Sequence, residues 1–151
     1  MISNPPTVEP LSSITSDSGT PVVRILIADD HQFVLKRAVS ALQQHFQVVG
    51  TANNGKMLVE EALRLQPEII VSDVLMPGLN GLGAARELRE RGCTAKLIFL
   101  SVYDRYEFVK ACFEEGGQAY VTKARMGTDL VLAINEVLAG RQFISPSIQG
   151  L

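Results

Sequence analysis

Four apolar runs in this sequence end in residues that could do chemistry together. The first ends in the pair Asp29-Asp30, the second in Asp73, the third in Ser101 and the fourth in Lys123. Three carboxylates that lie close together repel one another unless a cation neutralises them. Hard oxygen ligands in small number, with room left for water, suit Mg²⁺. If the fold gathers these residues, they predict a magnesium-loaded acid pocket bordered by a hydroxyl and an ammonium group.

That combination of groups matches the needs of phosphoryl transfer to a carboxylate. Asp73 is the predicted nucleophile, because aspartates form aspartyl-phosphate intermediates and a bound cation lets an anionic phosphoryl group approach one. Lys123 would offer a point charge to one phosphoryl oxygen, and Ser101 would offer a hydrogen bond to another. The predicted Mg²⁺ ligands all present oxygen atoms: Asp29, Asp30, Asp73 and the backbone carbonyl of Leu75.

The run before Asp73 indicates how the chain would place its nucleophile. Residues 69–71 are consecutive β-branched residues, which is typical of a strand covered on both faces in a parallel sheet. Pro77 and Gly78 then prevent the strand from continuing. Asp73 is therefore predicted at the carboxyl end of a buried strand, and ligands of open α/β sheets bind at that edge.

Five strand–helix units alternate along the chain. We predict strands over 22–28, 46–52, 69–73, 96–101 and 119–123, each followed by a helix with apolar residues at helical spacing. Strict alternation implies a parallel sheet with helices on both faces. The predicted fold class is therefore α/β, a single flavodoxin-like (βα)5 doubly wound domain with strand order 2-1-3-4-5. This order places the first strand beside the third, so Asp29 and Asp30 would meet Asp73.

Length and composition exclude several classes of protein. The 151 residues have room for one domain, and a net charge of -2 supplies no basic stripe for direct nucleic-acid binding. No apolar run approaches membrane-spanning length and no secretory signal is present, so we expect no membrane partner and take the cytosol as the default compartment. We expect a disordered leader over 1–20, the folded domain over 21–145 and a tail or truncated linker over 146–151.

Each candidate residue also has a simpler role when it is considered alone. Asp30 could cap the first helix, Ser101 could bond to backbone, and Lys123 could be a solvated surface lysine. Tyr120 is expected to lie at least partly in the core, and His31 is expected to face outward at the first turn of the first helix. The joint placement outweighs these roles, because four separate strands each end in a residue type that one reaction needs.

The segments ILIADDH, EIIVSDVLMPGLNG, LIFLSVYD and AYVTK resemble the receiver domain of two-component response regulators. The resemblance covers residues 22–147, and the ending GRQFISP is most similar to the subfamily that carries a C-terminal helix-turn-helix. It implies that Asp73 is the phosphoacceptor, that Asp29 and Asp30 bind Mg²⁺, and that Ser101 and Lys123 contact the phosphoryl group.

The resemblance also implies partners and a switch. A sensor histidine kinase or a phosphotransfer protein would supply the phosphoryl group, and a phosphorylation-dependent homodimer is a further partner to test for. Ser101 would move toward the phosphoryl group while Tyr120 turns inward behind it, which would alter a readout surface formed by helix 4, strand 5 and helix 5. Apart from its own phosphorylation and a slow dephosphorylation, the domain would not be an enzyme.

The sequence departs from the receiver pattern in three places. Ala124 follows Lys123 where many receivers have proline, so a cis bond there is less assured. Leu75 and Tyr103 stand where receivers that hydrolyse quickly carry polar side chains, which predicts slow loss of the phosphoryl group. The chain ends at Leu151, where the subfamily would begin its DNA-binding domain, and so it represents either a stand-alone receiver or an excised one.

Three other functions remain open on the sequence. A phosphatase of the haloacid-dehalogenase type would need an Asp-x-Asp motif after the first strand, where this chain has adjacent acids. A nucleotide- or flavin-binding module would need a glycine-rich phosphate loop at that place. A pseudo-receiver that acts only as an interaction module would not need the complete set of acids, hydroxyl and lysine.

Overall fold

A computed structural model describes residues 22–150, in which one parallel sheet lies between two layers of helices. The predicted leader over 1–20 lies outside the described residues. The strands are β1 (Arg24–Ala28), β2 (Gln47–Ala52), β3 (Ile69–Asp73), β4 (Lys96–Ser101), β5 (Gly117–Thr122) and β6 (Phe143–Ile144). The helices are α1 (Gln32–Gln43), α2 (Gly55–Leu65), α3 (Gly81–Glu90), α4 (Tyr106–Glu114) and α5 (Met126–Leu138), and a short 3₁₀ turn covers Lys123–Arg125.

The strand order is β2-β1-β3-β4-β5-β6, and every neighbouring pair is parallel. The flavodoxin-like fold with order 2-1-3-4-5 is therefore confirmed. The structure adds β6, a two-residue strand that the sequence did not predict. It pairs with β5 through Ala119 opposite Phe143 and Tyr120 opposite Ile144.

Alternate residues of each strand point to opposite faces of the sheet, and both faces are buried. One face packs α1 and α5 against residues such as Ile27, Val71 and Leu100. The other face packs α2 and α3 against residues such as Leu26 and Ile70, while α4 covers the region around Phe99 and Tyr120. Burial on both sides explains why the strands are continuous apolar runs rather than alternating ones.

The register of the strands determines which residues meet at the carboxyl edge. Ala28 of β1 lies opposite Ser72 of β3, so Asp29 and Asp73 follow side by side on neighbouring strands. The fifth strand begins two residues earlier than predicted and ends one residue earlier, because β5 runs from Gly117 to Thr122. Lys123 is therefore the first residue of the 3₁₀ turn rather than the last residue of a strand.

Two further observations bear on the expectations from sequence. Within residues 22–150, no helix combines the length and the apolar character needed to cross a membrane. The predicted domain boundary at 145 stays a prediction, but the residues after it pack on the sheet. Ile148 is buried beside Tyr120, and the Gln149 backbone N–H donates to the Asp104 carbonyl at 2.7 Å.

Candidate functional site

Lys123 joins two buried carboxylates at the carboxyl edge of the sheet. Its Nζ lies 3.0 Å from Asp29 Oδ2 and 3.1 Å from Asp73 Oδ2. Asp29 is 1% exposed and Asp73 is 5% exposed, so water screens these charges little. The lysine reaches them from the turn after β5, which brings together residues from three separate strand ends. The structure therefore brings Asp29, Asp73 and Lys123 together, as the sequence predicted.

The electrostatics of this cluster are unbalanced. Burial and the neighbouring charge of Asp29 raise the pKa of Asp73, although Lys123 and the Leu75 backbone N–H oppose that rise. Burial alone would lower the pKa of Lys123, but its contacts with Asp29 and Asp73 outweigh that effect and raise it. The ammonium group of Lys123 therefore stays charged, but its single positive charge does not neutralise both Asp29 and Asp73.

Asp29, Asp30, His31 and Asp73 can each place one ligand atom in a common space, with these atoms all within 4.8 Å of one another. Among the described residues, none donates a hydrogen bond to the buried oxygens Asp29 Oδ2 and Asp30 Oδ1. The contact of Lys123 with Asp29 is an ion pair without hydrogen-bond geometry. Buried polar atoms are normally hydrogen-bonded, and these two oxygens have only charge contacts, with Lys123 and with His31, so they indicate a place for a cation. The acidic cluster could hold a metal ion.

His31 faces outward at the start of α1, as expected, but it also contacts the acidic pair. Its side chain is 66% exposed, as an outward-facing residue would be, but its Nδ1 lies 3.3 Å from an oxygen of Asp29 and 3.3 Å from one of Asp30. Its backbone N–H also donates to Asp29 Oδ1 at 2.8 Å. The exposure of His31 therefore agrees with the expected outward-facing position, and the structure adds the contact of its ring with the acidic pair. The sequence feature that could have indicated this contact is DDH, in which His31 directly follows the two acids.

The loop after Asp73 is held close to the end of β3. The Leu75 backbone N–H donates to Asp73 Oδ1 at 3.3 Å, while the Leu75 side chain is 48% exposed. At Gly81 a Cβ atom would lie 2.0 Å from the Asp73 carbonyl oxygen, so only glycine allows α3 to begin this close to the site. Coordination of a metal by the Leu75 carbonyl stays a prediction.

Ser101 and Tyr120 both contact the loop that follows β4. Ser101 is 1% exposed, and its Oγ accepts a hydrogen bond from the Tyr103 backbone N–H at 3.1 Å. The Tyr120 hydroxyl donates to the Tyr103 carbonyl at 2.7 Å, and burial raises the pKa of Tyr120 to about 12. Tyr120 is fully buried, more so than the sequence predicted. Ser101 thus lies at the same edge as the acids, and its hydroxyl bonds to the loop.

Comparison with known proteins identifies the family. A family model described as the response regulator receiver domain matches residues 25–135. The chain therefore belongs to the response regulator receiver domain family, which confirms the resemblance noted in the sequence.

Individual relatives agree with this family and with the subfamily. The chain is 33% identical over 129 residues to response regulator GacA of Pseudomonas aeruginosa, and 32% identical over 127 residues to the nitrate/nitrite response regulator NarL of Escherichia coli. These matches cover 84% and 82% of this chain but only 60% and 58% of the two relatives. The chain thus spans about 60% of the length of GacA.

Solved structures show the same fold. A LuxR-family two-component response regulator from Aurantimonas sp. superposes with a TM-score of 0.80 at 30% identity, covering 84% of this chain and 92% of that one. The signal receiver domain of the NarL response regulator of Mycobacterium tuberculosis has a TM-score of 0.75 at 26% identity, covering 80% of this chain and 98% of that one.

Proposed function

We propose that this receiver domain accepts a phosphoryl group on Asp73 from a histidine kinase or a phosphotransfer protein. The observation that carries the proposal is the placement of Lys123 between Asp29 and Asp73, beside buried carboxylate oxygens that lack hydrogen-bond donors. Burying these charges costs free energy, and a pocket of this kind is suited to bind charged ligands. The family relationship supports the same conclusion, since the matched relatives are response regulators.

The proposed reaction is a displacement at phosphorus. A carboxylate oxygen of Asp73 forms a bond to phosphorus while the bond from phosphorus to a donor histidine nitrogen breaks and leaves its electron pair on nitrogen. Lys123 neutralises a phosphoryl oxygen, and Ser101, whose Oγ accepts from the Tyr103 backbone N–H, donates its O–H to another once its side chain moves toward the phosphoryl group. Asp29, Asp30, Asp73 and the Leu75 carbonyl would hold Mg²⁺, which would supply positive charge to neutralise the acids and the incoming phosphoryl group.

Phosphorylation would be read out through the loop between Ser101 and Tyr106. Ser101 bonds to the backbone of Tyr103 on one side, and the Tyr120 hydroxyl bonds to the same residue on the other. A phosphoryl group that recruits the Ser101 hydroxyl would release one of these bonds and leave the other. The proposed readout surface is accordingly formed by α4, β5 and α5, next to this loop.

The decisive experiment compares the wild type with Asp73→Asn. Each protein is incubated with acetyl phosphate and Mg²⁺, and the mass of the intact protein is measured. We expect one phosphoryl group on the wild type and none on Asp73→Asn, with Asp104→Asn as a control for a nearby exposed acid. Modification of Asp73→Asn would place the acceptor on another residue, whereas a wild type that stays unmodified would favour the interaction module without phosphorylation.

The same samples test two further parts of the proposal. Size-exclusion chromatography with and without fluoroberyllate measures whether phosphorylation produces a homodimer. Chelation of Mg²⁺ is expected to abolish modification of the wild type. If acetyl phosphate modifies Asp73 equally well in excess chelator, the magnesium assignment to Asp29 and Asp30 fails while the assignment of Asp73 stands.

We also expect the phosphoryl group to be lost slowly. Leu75 is half exposed beside Asp73, and Tyr103 stacks on Phe108 with ring centroids 4.3 Å apart, so neither side chain offers a group that orients water at phosphorus. The decay of the modified mass after removal of acetyl phosphate measures this directly. Leu75→Asn should accelerate the decay, whereas a wild-type half-life of only seconds in Mg²⁺ buffer would contradict the prediction.

A further inference from the structure

A third buried aspartate, Asp129, lies in the first turn of α5 close to the turn that carries Lys123. Asp129 is 1% exposed, and its carboxylate accepts hydrogen bonds from three side chains. Arg125 donates from Nε at 2.8 Å and from Nη2 at 3.2 Å, and Thr128 donates from Oγ1 at 3.2 Å. The third donor is Ser145, whose Oγ lies 2.7 Å from Asp129 Oδ2.

Ser145 extends this network to the end of β5. It is fully buried and lies immediately after β6. Its Oγ accepts a hydrogen bond from the Thr122 backbone N–H at 3.1 Å while it donates to Asp129. Its own backbone N–H donates to the Tyr120 carbonyl at 2.9 Å. The hydroxyl is therefore fixed from two sides and has little freedom to find another partner.

The two residues bonded by this network are the residues that flank the site lysine. Thr122 precedes Lys123 and is held by Ser145, while Arg125 follows it by two positions and is held by Asp129. Lys123 and Arg125 belong to the same 3₁₀ turn. Ala124 between them does not fix the backbone as a proline would, so the conformation of the turn depends on contacts outside it.

A lysine side chain is flexible and loses considerable conformational entropy when it is held in one place. Lys123 nevertheless reaches two buried carboxylates at 3.0 and 3.1 Å with its side chain only 11% exposed. Such a placement needs a rigid base for the side chain, because catalytic groups on loops are precise only when surrounding contacts hold them.

We infer that Asp129 and Ser145 are positioning residues that hold the β5–α5 turn so that Lys123 reaches the phosphoacceptor pocket. Asp129 fixes Arg125 on one side of the lysine, and Ser145 fixes Thr122 on the other. Neither residue touches Asp73, so each acts through Lys123. This inference rests on the proposed function of Asp73, which it extends to residues outside the pocket.

The first test measures the placement of Lys123 without any phosphorylation. The metal-free protein is treated with a limiting amount of an amine-acylating reagent, and labelling of Lys123 is compared with that of the exposed Lys110 by peptide mass spectrometry. We expect Ser145→Ala and Asp129→Asn to raise labelling of Lys123 relative to Lys110 by about fivefold, the factor that loss of one hydrogen bond typically gives. The matched control is Glu136→Gln. Glu136 lies on the same helix as Asp129, and the substitution removes its ion pair with Arg141 at the surface.

The second test measures whether Ser145 acts through the lysine. The rate of modification by acetyl phosphate is determined for Ser145→Ala, Lys123→Ala and the double variant. We expect Ser145→Ala to slow modification by about fivefold in the wild-type background and to have no further effect when Lys123 is already alanine. A general loss of folding would instead slow both backgrounds alike.

These measurements separate the possible failures. If labelling of Lys123 is unchanged in Ser145→Ala, or if the two effects on rate multiply, the positioning inference is overturned. If labelling rises as expected but the wild type is never phosphorylated, the positioning inference stands and the proposed function fails. Arg125→Gln, which changes a partly exposed side chain, gives the same readouts if Asp129→Asn does not fold.

Discussion

Buried aspartates lie at two places on the carboxyl side of this sheet, and their environments are opposite. Asp129 is 1% exposed and accepts hydrogen bonds from Arg125, Thr128 and Ser145, which outweigh the effect of burial and lower its pKa. Asp73 is 5% exposed and also contacts a cation, but burial and the charge of Asp29 raise its pKa. Asp129 and Asp73 thus share their residue type, their burial and a contact with a positively charged side chain.

The difference lies in the number of donors that each carboxylate receives. Asp129 is supplied on both oxygens, so its charge stabilises the fold around it. Asp73 accepts only one hydrogen bond on each oxygen, from the Leu75 backbone N–H and from Lys123, and the neighbouring oxygens Asp29 Oδ2 and Asp30 Oδ1 accept none within residues 22–150. A buried charge left without donors costs free energy, and sites that bind ions or react retain such charges. The number of hydrogen-bond donors, rather than burial, therefore distinguishes Asp129 from the aspartates of the proposed phosphoacceptor site.

The largest expected effect is on stability and has opposite signs at the two places. Asp129→Asn should lower the free energy of unfolding by about 2–3 kcal/mol, because it weakens a network of buried charge-assisted hydrogen bonds. Asp73→Asn should raise it by about 1 kcal/mol in metal-free protein, because it removes repulsion between like charges. Urea unfolding in the presence of a chelator measures both changes. Destabilisation by both substitutions would show that the two environments are not opposite.

Mg²⁺ should remove the imbalance at the Asp73 pocket and leave the Asp129 network unaffected. Binding at a concentration far above the dissociation constant stabilises a folded protein by about 2 kcal/mol. We expect a gain of this size for the wild type and none for Asp29→Asn, as measured by thermal unfolding with and without Mg²⁺. Asp129→Asn should show the same gain as the wild type, and a loss of the gain in that variant would mean that the two regions are coupled.

The dependence of stability on pH should also distinguish the Asp129 network. Because its pKa is lowered from the usual 3.8, the stability that Asp129 contributes is present above that value and is lost as the pH falls through the lower folded pKa. The difference in unfolding free energy between the wild type and Asp129→Asn should therefore be constant at neutral pH and shrink below about pH 4. A difference that grows on acidification would contradict the assigned direction.

The smallest effect is expected for the ion pair between Glu136, near the end of α5, and Arg141, which follows the helix. Arg141 donates to Glu136 from Nε at 2.8 Å, but both side chains are open to solvent. Glu136→Gln should change the free energy of unfolding by less than about 0.5 kcal/mol. The comparison with Asp129→Asn uses the same kind of partner and the same helix, so a large effect here would remove the role assigned to burial.

The sequence was sufficient to predict the layers of the fold and the convergence at one edge. Continuous apolar runs ending in Asp29, Asp73 and Lys123 are local signals. The parallel topology then brings the ends of these runs to the same edge of the sheet. The boundaries of β5 were less accurate, because Gly116 and Gly117 resemble the end of a helix whereas Gly117 already pairs with Leu97. The contact of Ser101 with the phosphoryl group followed from its place at a strand end, whereas the switch roles of Ser101 and Tyr120 came only from the resemblance to a family.

Features that depend on distant pairing could not be predicted. A strand of two residues, Phe143–Ile144, has no periodicity to detect, and Ser145 before a proline is typical of a turn. Asp129 in the first turn of a helix suggests an ordinary interaction with the helix dipole. Its contact with Ser145 joins residues 16 positions apart, and only the packed structure shows that the two meet.

The short strand β6 also has a consequence for how this domain behaves in concentrated solution. Without it, the outer side of β5 would be an open row of backbone donors and acceptors, which can recruit the same row from another molecule and lead to aggregation. Phe143 and Ile144 cover part of that row. A version of the domain cut at the end of α5, although it keeps every residue of the acid pocket, should therefore be less soluble than one that extends to Gln149.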